Sequence, residues 1–245
     1  MGADRDPATL RPWSIECGAS PHAEGSALVT AGRTRVLCTA SVLPTAPGWL
    51  TGTGRGWITA SYDMLPRATH DRRPRDRERV RADGRSLEIS RLVGRALRST
   101  VETDYLGERT VQIDCDVLAA DGGTRTASVT GGAVALLEAL AWMRRKGLIP
   151  GVPLRAFVAA VSVGLVAGRP VLDLDYALDK DAAVDLNVVA TEDGKLVDVQ
   201  GTAERESFSP DELSTLIALA LGGTAELVRL QRKALGKKLL AEIEA

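Results

Sequence analysis

Five aspartates fall within thirteen positions: Asp173, Asp175, Asp179, Asp181 and Asp185. With a reference pKa near ~3.9 they are ionised at neutral pH, and grouped they repel one another unless a cation lies among them. Oxygen donors alone suit Mg²⁺, which keeps several waters and takes one or two carboxylates. Ordinary acidic loop decoration is the other reading of the same residues. The pattern puts Asp173 and Asp175 on a strand ending at Tyr176 and Asp179 and Asp181 in the next connection. Asp185 opens a further strand, with Asn187 two residues on.

A second constellation is Asp121-Gly122-Gly123-Thr124-Arg125-Thr126, between a predicted strand and a predicted helix. The first N–H groups of a helix lack internal partners, and its dipole favours an anion there. The two glycines allow close backbone approach, Thr124 brings a hydroxyl and Arg125 a fixed charge. These are parts of a site for free phosphate, and equally of a tight turn with a threonine cap.

The third is a run of arginine. Positions 67–85 hold eight arginines (Arg67, Arg72, Arg73, Arg75, Arg77, Arg79, Arg81, Arg85) against four acids, with no lysine. Guanidinium pairs bidentately with phosphate and stacks on bases, so such a loop fits an extended polyanion. A solvated loop, or intersubunit ion pairing, would use the same residues. His22 and His70 are the only histidines, and no GxSxG, HExxH or Walker spacing occurs. Serine or cysteine nucleophilic catalysis has no support here.

The elements that must position these residues are legible in the apolar pattern. A short strand is predicted over Trp13–Gly18 and a hairpin over 26–42 around Ala31-Gly32-Arg33. A strand follows over Gly56–Tyr62, a helix over Leu87–Val101, a strand over Thr110–Leu118 and an apolar helix to about Lys146. Two glycines and two prolines mark a boundary in Gly147–Pro153, giving halves of 1–147 and 148–245. The second half repeats the logic, with a hairpin around Ala167-Gly168-Arg169 and another around Glu192-Asp193-Gly194. A helix capped by Ser209-Pro210-Asp211-Glu212 is predicted to run to about Leu221, pause at Gly222-Gly223 and resume. The expectation is an α+β fold of two halves, each a sheet backed by helices.

The chain has 245 residues, 44% hydrophobic and 26% charged, enough for a sizeable core. Its net charge of −1 means that a nucleic-acid surface must be a local patch. Cys17, Cys38 and Cys115 are odd in number and widely spaced, which fits buried thiols in a reducing compartment. No uninterrupted apolar run approaches the ~20 residues of a membrane span, and the first residues are polar, so a cytoplasmic protein is expected.

Longer stretches resemble the ribonuclease PH family. They include His22-Ala23-Glu24-Gly25-Ser26, Val36-Leu37-Cys38-Thr39-Ala40-Ser41, Met64-Leu65-Pro66-Arg67, the turn at 121–126 continued by Ala127-Ser128, Asp185-Leu186-Asn187-Val188-Val189 and Val199-Gln200-Gly201-Thr202-Ala203-Glu204. The resemblance spans about Trp13 to Glu226. It implies two βαβα-type halves with a ribosomal-protein-like fold, mixed sheets backed by helices, and a homo-hexamer built as a trimer of dimers. It implies a phosphate-dependent 3′→5′ exoribonuclease that trims tRNA precursors, using inorganic phosphate as co-substrate and Mg²⁺. By position the phosphate ligands are Arg85, Gly123, Thr124 and Arg125. The catalytic, metal-associated carboxylates are Asp179 and Asp185. The RNA-binding arginines are Arg67, Arg72, Arg73, Arg75 and Arg77. The rivals are a non-catalytic RNA-binding ring subunit, which would lack the arginines or the carboxylates, and a small-molecule kinase, which would need a nucleotide loop.

Overall fold

The computed structural model describes residues 5–75, 83–203 and 207–244. The chain runs β1 (Trp13–Cys17), β2 (Gly25–Ala31), β3 (Thr34–Leu43), β4 (Trp57–Met64), α1 (Gly84–Ser99), β5 (Thr110–Ala119), α2 (Thr124–Arg145), β6 (Val158–Val166), β7 (Arg169–Leu172), α3 (Tyr176–Asp181), β8 (Val184–Thr191), β9 (Leu196–Ala203) and α4 (Pro210–Glu244). The first five strands form one sheet in the order β1-β2-β3-β5-β4, and the last four another in the order β7-β6-β8-β9. Only the β4–β5 pair is parallel, because α1 lies between those strands in sequence and makes the crossover. The second sheet is antiparallel throughout.

The α2 helix is the keel between the sheets. Apolar and small residues surround it on every side, so it has no solvent stripe and is buried along nearly its whole length. One side, with Ala133, Leu136 and Leu140, packs with Val29, Val36, Ile113, Leu92 and Leu97 against the first sheet and α1. The opposite side, with Val134, Leu137 and Ala141, packs with Phe157, Val161, Leu186, Leu216 and Leu227 against the second sheet and α4. Both α2 and α4 are long and apolar enough to cross a membrane, yet each contributes a face to these cores.

Two expectations are corrected. The strand expected to reach Tyr176 ends at Leu172, because Asp173 adopts a left-handed φ of 56° that turns the chain out of the sheet. The connection beyond, which carries Asp179 and Asp181, folds as the short helix α3. The last helix does not pause at Gly222-Gly223, since a Cβ at Gly223 would lie 2.8 Å from Leu172 Cδ1 and the glycine serves close packing within a continuous helix. Its break is at Gly236, with φ 71°.

Candidate active site

The first guanidinium of the site comes from the start of α1. Asp83 caps that helix, accepting from Arg85 N at 3.4 Å and from Ser86 Oγ at 3.3 Å. Arg73 Nη2 donates at 2.7 Å to Asp83 Oδ2, the oxygen that also accepts from Ser86 Oγ, and Arg73 N bonds Pro66 O at 2.9 Å. Arg73 is therefore a brace for the cap that carries Arg85, and its charge is committed inward. Arg67, Arg72 and Arg75 are exposed, while Arg77 lies outside the described residues with the rest of 76–82.

The second guanidinium sits at the N-terminus of α2. Strand β5 delivers the chain to Asp121, whose N–H bonds Thr34 Oγ1 at 2.8 Å, and Gly122 and Gly123 then take left-handed φ values of 76° and 66°. Those conformations are open to glycine and strained for other residues. Gly123 is the cap residue, and its carbonyl accepts from Ala127 N at 3.0 Å and Thr126 Oγ1 at 2.9 Å. Arg125 Nη1 reaches Gln200 Oε1 at 3.3 Å and Glu88 at 3.4 Å, which steers its fork between α1 and β9.

The carboxylates come from the other half. Asp175 accepts from Leu178 N at 3.0 Å and caps α3, which presents Asp179 and Lys180. Asp185 and Asn187 share one face of β8, with Asn187 Nδ2 3.4 Å from Asp185 Oδ2. Arg85, Arg125, Asp179, Lys180, Asp185 and Asn187 line one cavity of about 810 Å³, together with Val199 to Thr202 of β9. The two halves of the chain thus bring guanidinium groups and carboxylates to the same space.

Gly123 and Thr124 are not part of the cavity wall. Thr124 is only 4% exposed, and its hydroxyl shares a 2.8 Å hydrogen bond with Tyr62 OH. Burial pushes the Tyr62 phenol up, while the Thr124 bond and the charges of Arg85, Arg125 and Arg73 pull it down, so the arginine field converges here. The glycine pair approaches the protein's own chain: a Cβ at Gly122 would lie 2.7 Å from Leu174 O. The close approach read from sequence is thus, on that side, a contact between the two halves.

The five aspartates do not form a cluster. Asp173 is 0% exposed and bonded to Arg11 and Trp13, and Asp175 serves as a helix cap. Asp181 ends α3 exposed, which leaves Asp179 and Asp185 at the cavity. The left-handed turn at Asp173 and the helix after it send successive carboxylates in different directions. Among the described residues no three carboxylate, thiol or imidazole groups converge as a metal cage. Two carboxylates beside open space fit a cation that keeps most of its water, as Mg²⁺ does. Sequence reasoning missed Lys180 and assigned no role to Gln200 and Thr202. Alternation along β9 puts Gln200 and Thr202 on one face, a signal that was available.

Comparison with known proteins follows the same outline. The model for domain 1 of the 3′ exoribonuclease family matches residues 9–140, and that for domain 2 matches residues 156–223. The ribonuclease PH of Methylobacterium nodulans is 54% identical over 232 residues, which cover 95% of this chain and 98% of that protein. Rice (Oryza sativa) Rrp46 superposes with a TM-score of 0.77 at 17% identity, over 96% of this chain and 100% of that one. The Archaeoglobus fulgidus exosome with RNA bound to the active site gives a TM-score of 0.78 at 22% identity, over 93% and 91% of the two chains. These two structures share the fold.

Proposed function

The chain belongs to the 3′ exoribonuclease family, and from this we infer that it is a phosphate-dependent 3′→5′ exoribonuclease acting on tRNA precursors. Inorganic phosphate attacks the last phosphodiester of an RNA 3′ end. A nucleoside 5′-diphosphate leaves, and the RNA is one nucleotide shorter. One observation supports the site assignment above all others: Arg85, Arg125, Asp179 and Asp185 border a single cavity.

The obstacle to this reaction is charge. Phosphate at neutral pH carries about −1.5 to −2, by analogy with a phosphomonoester, and the diester adds −1. Two like unit charges 4 Å apart cost roughly 4 kcal/mol at an effective dielectric of 20. In our reading Arg85 and Arg125 bind the attacking phosphate, and Lys180 adds a third positive charge at the rim. The N-terminus of α2 adds about half a charge through its main chain, which is how Gly123 and Thr124 take part. Phosphate is already a nucleophile, so the protein orients and neutralises it and no strong base is required. Asp179 and Asp185 would hold Mg²⁺, which when bound supplies positive charge to the phosphoryl oxygens. The proton that the departing 3′ oxygen takes up comes from the attacking phosphate, and one of these aspartates passes it on. Gln200 and Glu88 keep the Arg125 fork aimed before phosphate arrives.

Arg67, Arg72, Arg75 and Arg77 track the RNA backbone, and Arg73 contributes by holding the cap of α1. We assign the active form to a homo-hexameric ring, a trimer of dimers, of chains with halves 1–147 and 148–245, on family likeness. We assign it to the cytoplasm, which suits three free cysteines. The test is incubation of a 3′-extended tRNA precursor with and without phosphate. The reading requires nucleoside diphosphate release only with phosphate, and a ring subunit that binds RNA without releasing nucleotides would refute it.

A further inference from the structure

Arg11 lies immediately before Pro12 and β1, far in sequence from every residue of the cavity. Its side chain is nonetheless 7% exposed and crosses the seam between the two halves. Nη1 donates to the carbonyl of Asp121 at 2.7 Å, and Nη2 to Asp173 Oδ1 at 2.7 Å. Its main-chain N–H donates to Asp173 Oδ2 at 2.9 Å, and Trp13 Nε1 donates to the same oxygen at 2.7 Å. Arg5 Nη2 adds bonds to the carbonyls of Leu172 and Asp173, at 2.9 and 3.0 Å.

Both ends of the Arg11 fork hold a turn that feeds the cavity. Asp121 opens the turn that ends in the Gly123 cap and Arg125. Asp173 opens the turn that passes through the Asp175 cap to Asp179. The two turns touch: a Cβ at Gly122 would come within 2.8 Å of the backbone of Asp175 and Tyr176, and one at Gly123 within 2.8 Å of Arg11 Nη2. Stability alone is a poor account of this arrangement. A buried ion pair gains little over apolar packing once its desolvation is counted, and Arg11 Nε is buried without a hydrogen-bond partner among the described residues. What guanidinium offers beyond an ammonium is a rigid fork that fixes two acceptors relative to each other.

We propose that Arg11, paired with Asp173, is a positioning residue that sets the spacing between the phosphate-binding turn and the segment carrying Asp179. The proposal rests on the phosphorolytic reading of the cavity. Asp173 holds its left-handed turn because three donors fix its carboxylate, and Arg11 transmits that fixed point to Asp121. Loss of the fork lets the guanidinium and carboxylate sides of the cavity drift apart. A misplacement near ~1 Å at reacting groups lowers rate on the order of 10²-fold.

The experiment compares Arg11→Lys with Trp13→Phe at saturating RNA across a phosphate titration, with melting temperature and RNA affinity measured alongside. Lysine keeps the charge and loses the fork. Phenylalanine removes a donor to the same carboxylate but leaves the link to Asp121. Both variants are expected to melt earlier and to bind RNA normally. Only Arg11→Lys should lower kcat/KM for phosphate, by about 10- to 100-fold. Should Arg11→Lys not fold, Asp173→Asn carries the test, since it keeps the shape and tolerates the left-handed turn, and the same loss is expected. A phosphate-dependent wild type with an unaffected kcat/KM in Arg11→Lys overturns this inference alone. So does an equal loss in Trp13→Phe. A wild type indifferent to phosphate overturns the parent reading and this one with it.

Discussion

Replacing Arg125 with alanine should raise the phosphate requirement far more than it alters folding or RNA binding. The guanidinium touches only Glu88, at 3.4 Å, and Gln200, at 3.3 Å, among the contacts described for its side chain, so no core packing is lost. A hydrogen bond to a charged partner contributes about 1.5–3 kcal/mol, and the bare Coulomb attraction near 4 Å sets a ceiling of roughly 4 kcal/mol per charge pair. Glu88, 44% exposed, offsets part of the attraction. A net loss of about 2–3 kcal/mol corresponds to a fall of roughly 30- to 160-fold in kcat/KM for phosphate. The assay is initial-rate release of nucleoside diphosphate from a short RNA, titrated with phosphate, with RNA affinity measured separately. Glu88→Gln provides the opposite arm: removing the competing carboxylate should lower the phosphate KM, by no more than about fivefold for an exposed pair. Unchanged phosphate dependence in Arg125→Ala would remove this residue from the site and with it the helix-end account of phosphate capture.

Other consequences are independent of that one. Asp185→Asn should stop diphosphate release while RNA affinity, measured by fluorescence anisotropy, stays close to wild type; a fully active variant refutes its role. Replacing Arg67, Arg72 and Arg75 with glutamine should flatten the dependence of RNA affinity on salt, by a slope of about two on logarithmic axes, and an unchanged slope would make the loop structural. Partial desolvation, with the charges of Asp114 and Asp63 beside it, raises the Asp116 carboxyl above its ordinary value, although the residue stays exposed on β5. Its protonated form is therefore favoured by folding. That stability is present below the ordinary carboxyl value of 3.8 and is lost as pH rises through the folded value. Asp116→Asn should accordingly raise the melting temperature at pH 7, only slightly because solvent screens an exposed carboxyl, and give no gain in strong acid; a gain that grows as pH falls would reverse the sign of the argument.

Much of this molecule is written locally. The hairpin turns at Ala31-Gly32-Arg33 and Ala167-Gly168-Arg169, the period of α1 and the serine cap of α4 each announce themselves within a few residues. The two hairpin turns, alike in sequence, differ in conformation, since Ala167 and Gly168 are both left-handed whereas in the first only Gly32 is. Arg125 stands out by its glycine-turn motif, while Arg85, Asp179 and Asp185 are singled out from their arginine and aspartate runs by the family resemblance; all four border one cavity. What escaped is what depends on distant partners. Asp173 looks like its neighbours in the acidic run until Arg11, 162 residues away, fixes it in a buried turn. The Gly222-Gly223 pair reads as a break until Leu172 fills the space a side chain would take. Lys180, between two aspartates, gave no signal until α3 turned it to the cavity.

The central claim is that orthophosphate, and not water, cleaves the RNA in a cavity bordered by Arg85, Arg125, Asp179 and Asp185. Running the reaction in ¹⁸O-labelled water with unlabelled phosphate, followed by mass spectrometry of the released nucleotides, decides it. The account predicts nucleoside diphosphates free of ¹⁸O, and no product when phosphate is left out. Nucleoside monophosphates carrying ¹⁸O, formed with or without phosphate, would contradict it.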